Sequence, residues 1–121
     1  GFRMVTLTNS PPPVVEAQMT QSGLRQYFER NFSIETVRKY KPAPEPYRMV
    51  ATELGVPVSQ LRLVAAHAWD VGGAMRAGCK AAFIGRPGKA QYPLFPQVDI
   101  AGRDLAEVAD MILKADLAAA R

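Results

Sequence analysis

Apolar and polar positions change period several times along this chain, and each change marks an element. Met4-Val5-Thr6-Leu7-Thr8 is a β-branched apolar run closed by Asn9-Ser10 and the prolines Pro11 to Pro13. That pattern predicts a strand, a loop and a proline-led helix start. From Val14 to Ser22 a partial apolar stripe through Val15, Ala17 and Met19 ends at Gly23, where a left-handed stop belongs, so a helix is predicted. Leu24 to Phe32 has no clean period, whereas Ser33-Ile34-Glu35-Thr36-Val37 alternates and predicts a short second strand. Lys41-Pro42-Ala43-Pro44-Glu45-Pro46-Tyr47 carries prolines at alternate positions, so the chain there is stiff and extended until a helix begins near Glu45. That helix recurs through Tyr47, Val50, Ala51 and Leu54 and stops at Gly55.

The second half continues the alternation. Leu61 to Ala66 is nearly all apolar, the mark of a strand buried on both faces of a parallel sheet. After His67-Ala68-Trp69-Asp70, a short small-residue helix runs through Val71, Ala74 and Met75 to Gly78, and Ala81 to Ile84 makes another buried strand. Residues 87 to 98 are rich in proline and aromatics and lack a period. Asp104 to Leu117 places Leu105, Val108, Ala109 and Ile112 on one face, predicting a terminal amphipathic helix. Strands alternating with helices argue for an α/β fold with parallel pairing and right-handed crossovers. Ligands in such sheets sit beyond the carboxyl ends of the strands, here Thr8-Asn9, Val37 to Lys41, His67 to Asp70 and Gly85-Arg86.

Composition narrows the classes. With 121 residues, 48% apolar and 21% charged, the chain fits one domain. No stretch approaches roughly eighteen uninterrupted apolar residues, and the N-terminus lacks the features of a secretory signal, so no membrane association is expected. The net charge of +4 comes from scattered basic residues, and aromatics are only 8%, so no strip for nucleic acid is present and a small anionic ligand suits the charge better. A single cysteine, Cys79, cannot form an internal disulfide and favours a reducing compartment, with the cytoplasm as the expected location. No Cys/His cluster points to zinc or iron–sulfur, and no cofactor is expected. The chain starts at Gly1, almost inside its first strand, so a preceding segment is expected.

Three loop sequences, in order, resemble the later motifs of the haloacid dehalogenase superfamily, in its 2-haloacid dehalogenase branch. Leu7-Thr8-Asn9-Ser10 resembles the second motif. Val37 to Tyr47 resembles the segment around the family's lysine, and Val64-Ala65-Ala66-His67-Ala68-Trp69-Asp70 with Gly72-Gly73-Ala74 and Gly78 resembles the fourth. The resemblance implies a three-layer Rossmann-like parallel sheet with flanking helices, here incomplete. The family's first motif, a strand ending in the attacking Asp, and its helical cap domain have no counterpart in these residues. The family's strand order puts that strand between the one ending at Thr8 and the one ending near Ala66. Residues 1–121 are therefore expected to be the C-terminal portion of a larger core domain, inactive alone.

The resemblance also implies roles. The expected reaction is hydrolysis of short 2-haloalkanoic acids to 2-hydroxy acids through an aspartyl ester. Lys41 would keep the attacking carboxylate ionised, since a nearby cation favours its charged form; the plain alternative is a surface lysine in a basic run. Thr8 and Asn9 would bind the substrate carboxylate, or simply cap a turn. Asp70 would pair with Lys41 or orient water, a role that can coexist with capping a helix starting at Val71. His67, the only histidine, could take a proton from the hydrolytic water; family relatives more usually carry Asn there, and an Asn-like hydrogen-bonding duty is the plain alternative. Trp69 would line a halide pocket or merely pack, and Tyr47 would hydrogen-bond within the site or anchor its helix. The intact enzyme is expected to be a homodimer. The competing readings are a Mg²⁺-dependent phosphatase of the same superfamily, which needs a carboxylate where Ala66 stands, and a non-catalytic truncated fragment.

Overall fold

The computed structural model describes residues 2–117, which form five strands and four α-helices. In chain order these are β1 (Val5–Thr8), α1 (Pro12–Gln21), β2 (Arg30–Ser33), α2 (Pro44–Leu54), β3 (Arg62–Ala65), α3 (Ala68–Ala77), β4 (Lys80–Ile84), β5 (Ile100–Gly102) and α4 (Leu105–Ile112). All pairings are parallel. β1 pairs with β2, with Leu7 opposite Phe32. β3 pairs with β4, with Leu63 opposite Ala81, and β4 with β5, with Phe83 opposite Ala101.

Alternation along the strands assigns the layers. On one face, Leu7, Leu61 and Leu63 meet Tyr47 of α2 and Ala74 and Ala77 of α3, while Phe32 packs with Met49 and Val50 of α2. On the other, Val108 of α4 packs with Ala82, Ile84 and Ile100, and Glu16 of α1 accepts a 3.1 Å hydrogen bond from Asn31 of β2. This is the expected three-layer α/β arrangement. It is also incomplete: β1 and β3 are not hydrogen-bonded to each other, so the described strands form a two-stranded and a three-stranded sheet. A cavity of about 1070 Å³, lined by Val5 and Leu7 on one side and Leu63 and Val64 on the other, lies between them. Each facing strand edge leaves main-chain donors and acceptors without strand partners, an unfavourable state for a buried edge.

Several boundaries differ from the sequence-based expectation. The second strand is Arg30–Ser33, not residues 33–37. Ser33 ends it: its hydroxyl accepts from the Glu35 amide and donates to the Ser10 carbonyl at 2.8 Å, which turns Ile34–Thr36 into a single 3₁₀ turn. α3 begins at Ala68 rather than Val71, with the backbone of His67 opening it. α4 ends at Ile112, and Leu113–Leu117 continues as a wider π-type turn. β5 has no counterpart in the hydrophobic pattern, because three residues are too few to display a period. Among the described residues no helix is long and apolar enough to cross a membrane.

Arg62 fastens the C-terminal segment to the sheet. Its guanidinium, 8% exposed, grips Asp116 through Nε at 2.6 Å and Nη2 at 2.8 Å, and Asp99 through Nη1 at 2.7 Å and Nη2 at 3.1 Å. Hydrogen bonding to Arg62 holds both carboxyls below the usual carboxylate range. Their contribution is therefore complete above the unfolded pKa of about 4 and is lost as pH falls through the lowered folded values. Arg62→Met is expected to cost about 1 kcal/mol at pH 7, because water screens the exposed Asp99 carboxylate left behind, and the gap from the parent should narrow by pH 3, as read from urea unfolding at both values.

Candidate functional site

The carboxyl end of β1, the loop before α2 and the first turn of α3 meet at one end of the cavity. Lys41 comes from a loop pinned on two sides: its amide donates to Asn9 Oδ1 at 2.9 Å, and its Nζ donates to the Leu7 carbonyl at 3.1 Å. The same Nζ lies 2.8 Å from Asp70 Oδ2, and both side chains are 8% exposed. The Tyr47 hydroxyl donates to Asp70 Oδ1 at 2.7 Å. Each carboxylate oxygen of Asp70 thus has its own donor, one cationic and one phenolic.

Local sequence explains the placement. Proline at the start of α2 begins the helix so that Tyr47 falls in its first turn, facing α3. Asp70 lies in the first turn of α3, where the helix dipole favours a negative charge. It is not the cap of a helix starting at Val71, as the sequence allowed; its oxygens are taken by Lys41 and Tyr47, and the α3 cap is His67, whose side chain makes no capping bond. Burial, then the hydrogen bond to Asp70 and that residue's charge, push the Tyr47 hydroxyl above the ordinary tyrosine range, so it stays a donor.

The other sequence-predicted residues sit around this trio with different duties. Thr8 Oγ1 accepts from the Ser10 amide at 3.0 Å, the turn-capping role, which leaves its own proton free to donate. Asn9 spends its side-chain oxygen on the Lys41 amide. Trp69 is partly buried, with its ring 5.7 Å from Lys41 Nζ. His67 is exposed and tilts against Trp69 at a ring separation of 5.8 Å; among the described residues its side chain has no hydrogen bond. Cys79, given no role from sequence, is buried in the Tyr47 cluster, and burial pushes its thiol up to about 11.

Two glycines of the fourth-motif segment have a role that the sequence alone does not assign. A Cβ on Gly72 would run into the Phe95 ring, so the proline-rich loop seats an aromatic on α3, with Arg76 stacked 3.9 Å from the same ring. A Cβ on Gly73 would meet Pro42 and the Tyr47 hydroxyl. The consecutive glycines after Asp70 were the available signal. Among the described residues, no three of His, Cys, Asp and Glu gather closely enough to hold a metal ion.

Comparison with known proteins supplies a context for this geometry. The sequence profile of the haloacid dehalogenase-like hydrolases matches residues 1–78. The (S)-2-haloacid dehalogenase of Pseudomonas sp. strain YL is 32% identical over 88 residues, covering 73% of this chain and 38% of that protein. A plasmid phosphoglycolate phosphatase of Cupriavidus necator is 35% identical over 78 residues, covering 64% and 34%. The structure of L-2-haloacid dehalogenase from Xanthobacter autotrophicus shares the fold, with a TM-score of 0.88 over 94% of this chain and 56% of that one, at 20% identity. The chain thus spans between about a third and just over half of these proteins.

Proposed function

Because the chain belongs to the haloacid dehalogenase-like hydrolases, we propose that it supplies the lysine and aspartate half of an enzyme that hydrolyses short 2-haloalkanoic acids. In this reading the cavity between β1 and β3 takes a parallel strand from elsewhere in the complete protein, and that strand carries the attacking carboxylate. The observation that carries the proposal is the buried Lys41–Asp70 pair at the cavity between the unpaired strands β1 and β3.

The chemistry follows from charge. The strand-borne carboxylate attacks the carbon next to the substrate carboxylate; an oxygen–carbon bond forms and the halide leaves with the carbon–halogen electron pair. Lys41, held by Asp70 and the Leu7 carbonyl, keeps one N–H free to face that carboxylate and favour its ionised form. Thr8 offers a hydroxyl, and the turn after it backbone amides, to the substrate carboxylate. Trp69 bounds the halide. Water then attacks the ester carbonyl as His67 accepts one of its protons; the carbonyl carbon–oxygen bond to the substrate breaks, His67 returns that proton to the departing 2-hydroxy acid oxygen, and the enzyme carboxyl loses its remaining proton to solvent and is restored as a carboxylate. Asp70 and Tyr47 hold Lys41 in place. The complete enzyme works as a cytoplasmic homodimer in this reading.

A second reading, a Mg²⁺-dependent phosphatase, is favoured by the likeness to the Cupriavidus protein. The residues fit it poorly, since the position four before Asp70 is Ala66, whose side chain has no carboxylate to offer a hard cation. Halide release from 2-chloropropionate and phosphate release from phosphoglycolate, each measured with the complete protein with and without chelator, separate the two. Chelator-insensitive halide is expected. Phosphate release that needs Mg²⁺ would establish the second reading, and neither activity would leave a non-catalytic fragment.

A further inference from the structure

We propose that Gly73 is a positioning residue, whose missing side chain lets Pro42 and the Tyr47 hydroxyl close onto α3 and thereby sets where Lys41 and Tyr47 meet Asp70. Its backbone gives no reason for glycine: it lies inside α3 and is not among the glycines with positive φ. Helix propensity would favour alanine there. The reason lies in contact. A Cβ at this position would stand 2.5 Å from Pro42 Cβ, 2.9 Å from the Pro42 carbonyl oxygen and 2.9 Å from Tyr47 Oη, against 3.4–4 Å for ordinary contact.

One colliding group, Tyr47, belongs to the trio, and the other, Pro42, adjoins it in sequence. Pro42 directly follows Lys41, and its ring and carbonyl cannot swing aside as a flexible side chain would. Tyr47 Oη is the atom that donates to Asp70. Gly73 and Asp70 are three residues apart on α3 and so share a face, which means the surface that bears the carboxylate is the one the two arms press against. Ala74 and Ala77, both fully buried beside Tyr47, extend the same small-residue seat. Relieving the overlap moves Pro42 by about 1 Å, enough to break a 2.8 Å contact between Lys41 and Asp70, and misplacement on that scale costs about 10²-fold in rate.

The effect on turnover rests on the dehalogenase reading; the effect on the trio does not. The test follows the Tyr47 Cζ resonance in the full chain labelled with ¹³C-tyrosine, identified by its loss in Tyr47→Phe. Gly73→Ala is expected to shift that resonance and to let it titrate at a lower pH than in the parent. In the complete enzyme kcat should fall about 10²-fold with KM little changed. Gly55→Ala, strained at φ 69° with open space around its Cβ, is the destabilised control and should leave the resonance in place. Pro42→Gly combined with Gly73→Ala removes the closest clash and should recover part of the parent spectrum. An unshifted Tyr47 resonance in folded Gly73→Ala would overturn the assignment, as would the same shift in Gly55→Ala. Failure of both Gly73→Ala and the double variant to fold while Gly55→Ala folds would overturn it too, making Gly73 a packing residue only. A shifted resonance with no haloacid turnover in the parent enzyme would uphold the positioning role and sink the dehalogenase reading.

Discussion

Lys41→Met is expected to reduce haloacid turnover by about 10³-fold in the complete enzyme and to lower the stability of the chain by about 3 kcal/mol, because two separate losses fall on one atom. The first is chemical: the ammonium that, in the proposed reaction, faces the attacking carboxylate disappears. The second is structural. Asp70, buried, keeps the Tyr47 hydroxyl on one oxygen but has nothing to balance its charge on the other, and the Leu7 carbonyl loses its donor. The methionine stem fills the lysine's space without replacing either bond. Adding Asp70→Asn to Lys41→Met should therefore recover most of the stability, since the unbalanced charge is gone, and none of the turnover. Thermal unfolding and initial rates on both variants measure the two losses independently. Unchanged stability in Lys41→Met would mean that water has free access to the pair.

An apolar peptide in strand conformation, ending in Asp, should bind the chain and raise its unfolding temperature. The facing edges of β1 and β3 offer unpaired main-chain groups, and the cavity between them is lined by Leu7, Leu63 and Val64, so backbone hydrogen bonds and apolar burial both reward a guest strand. At 100 times its dissociation constant such a peptide stabilises by about 2.7 kcal/mol. The terminal residue discriminates. Asp at the end near Lys41 adds an ion pair, whereas the same peptide ending in Lys places like charges together and should bind more weakly by tenfold or more. Equal affinity for the two peptides would mean that the cavity does not register its guest against Lys41.

The sequence carried the architecture because buried parallel strands and glycine stops are local signals. Leu61 to Ala66 reads as a central strand from its unbroken apolar run, and Gly55 and Gly78 end α2 and α3 with left-handed φ of 69° and 107°. The misplaced second strand failed for a reason visible only in three dimensions: Ser33 pairs with Ser10, twenty-three positions away, and bends the chain just where alternation suggested it would run on. β5 forms because β4 offers an edge, not because Ile100-Ala101-Gly102 has strong preferences. At the site, motif resemblance found Lys41, Tyr47 and Asp70, but spacing could not say which atoms meet. Asn9 proved to hold the lysine loop, and Thr8 to cap its own turn. Gly73 stands in the motif segment, but its role is not legible there because its importance is the absence of an atom, judged only against Pro42 and Tyr47, which arrive from a distant part of the chain.

The measurement that bears most directly on the account is trapping of the ester. The complete protein is mixed with 2-chloropropionate in the presence of chelator, quenched in acid within one turnover, and digested for mass spectrometry. The account predicts a propionate ester on a carboxylate of the strand that fills the gap between β1 and β3, formed as chloride is released and lost again as water completes the cycle. Chloride release with no adduct on that strand, or an adduct on a residue remote from Lys41, would contradict it.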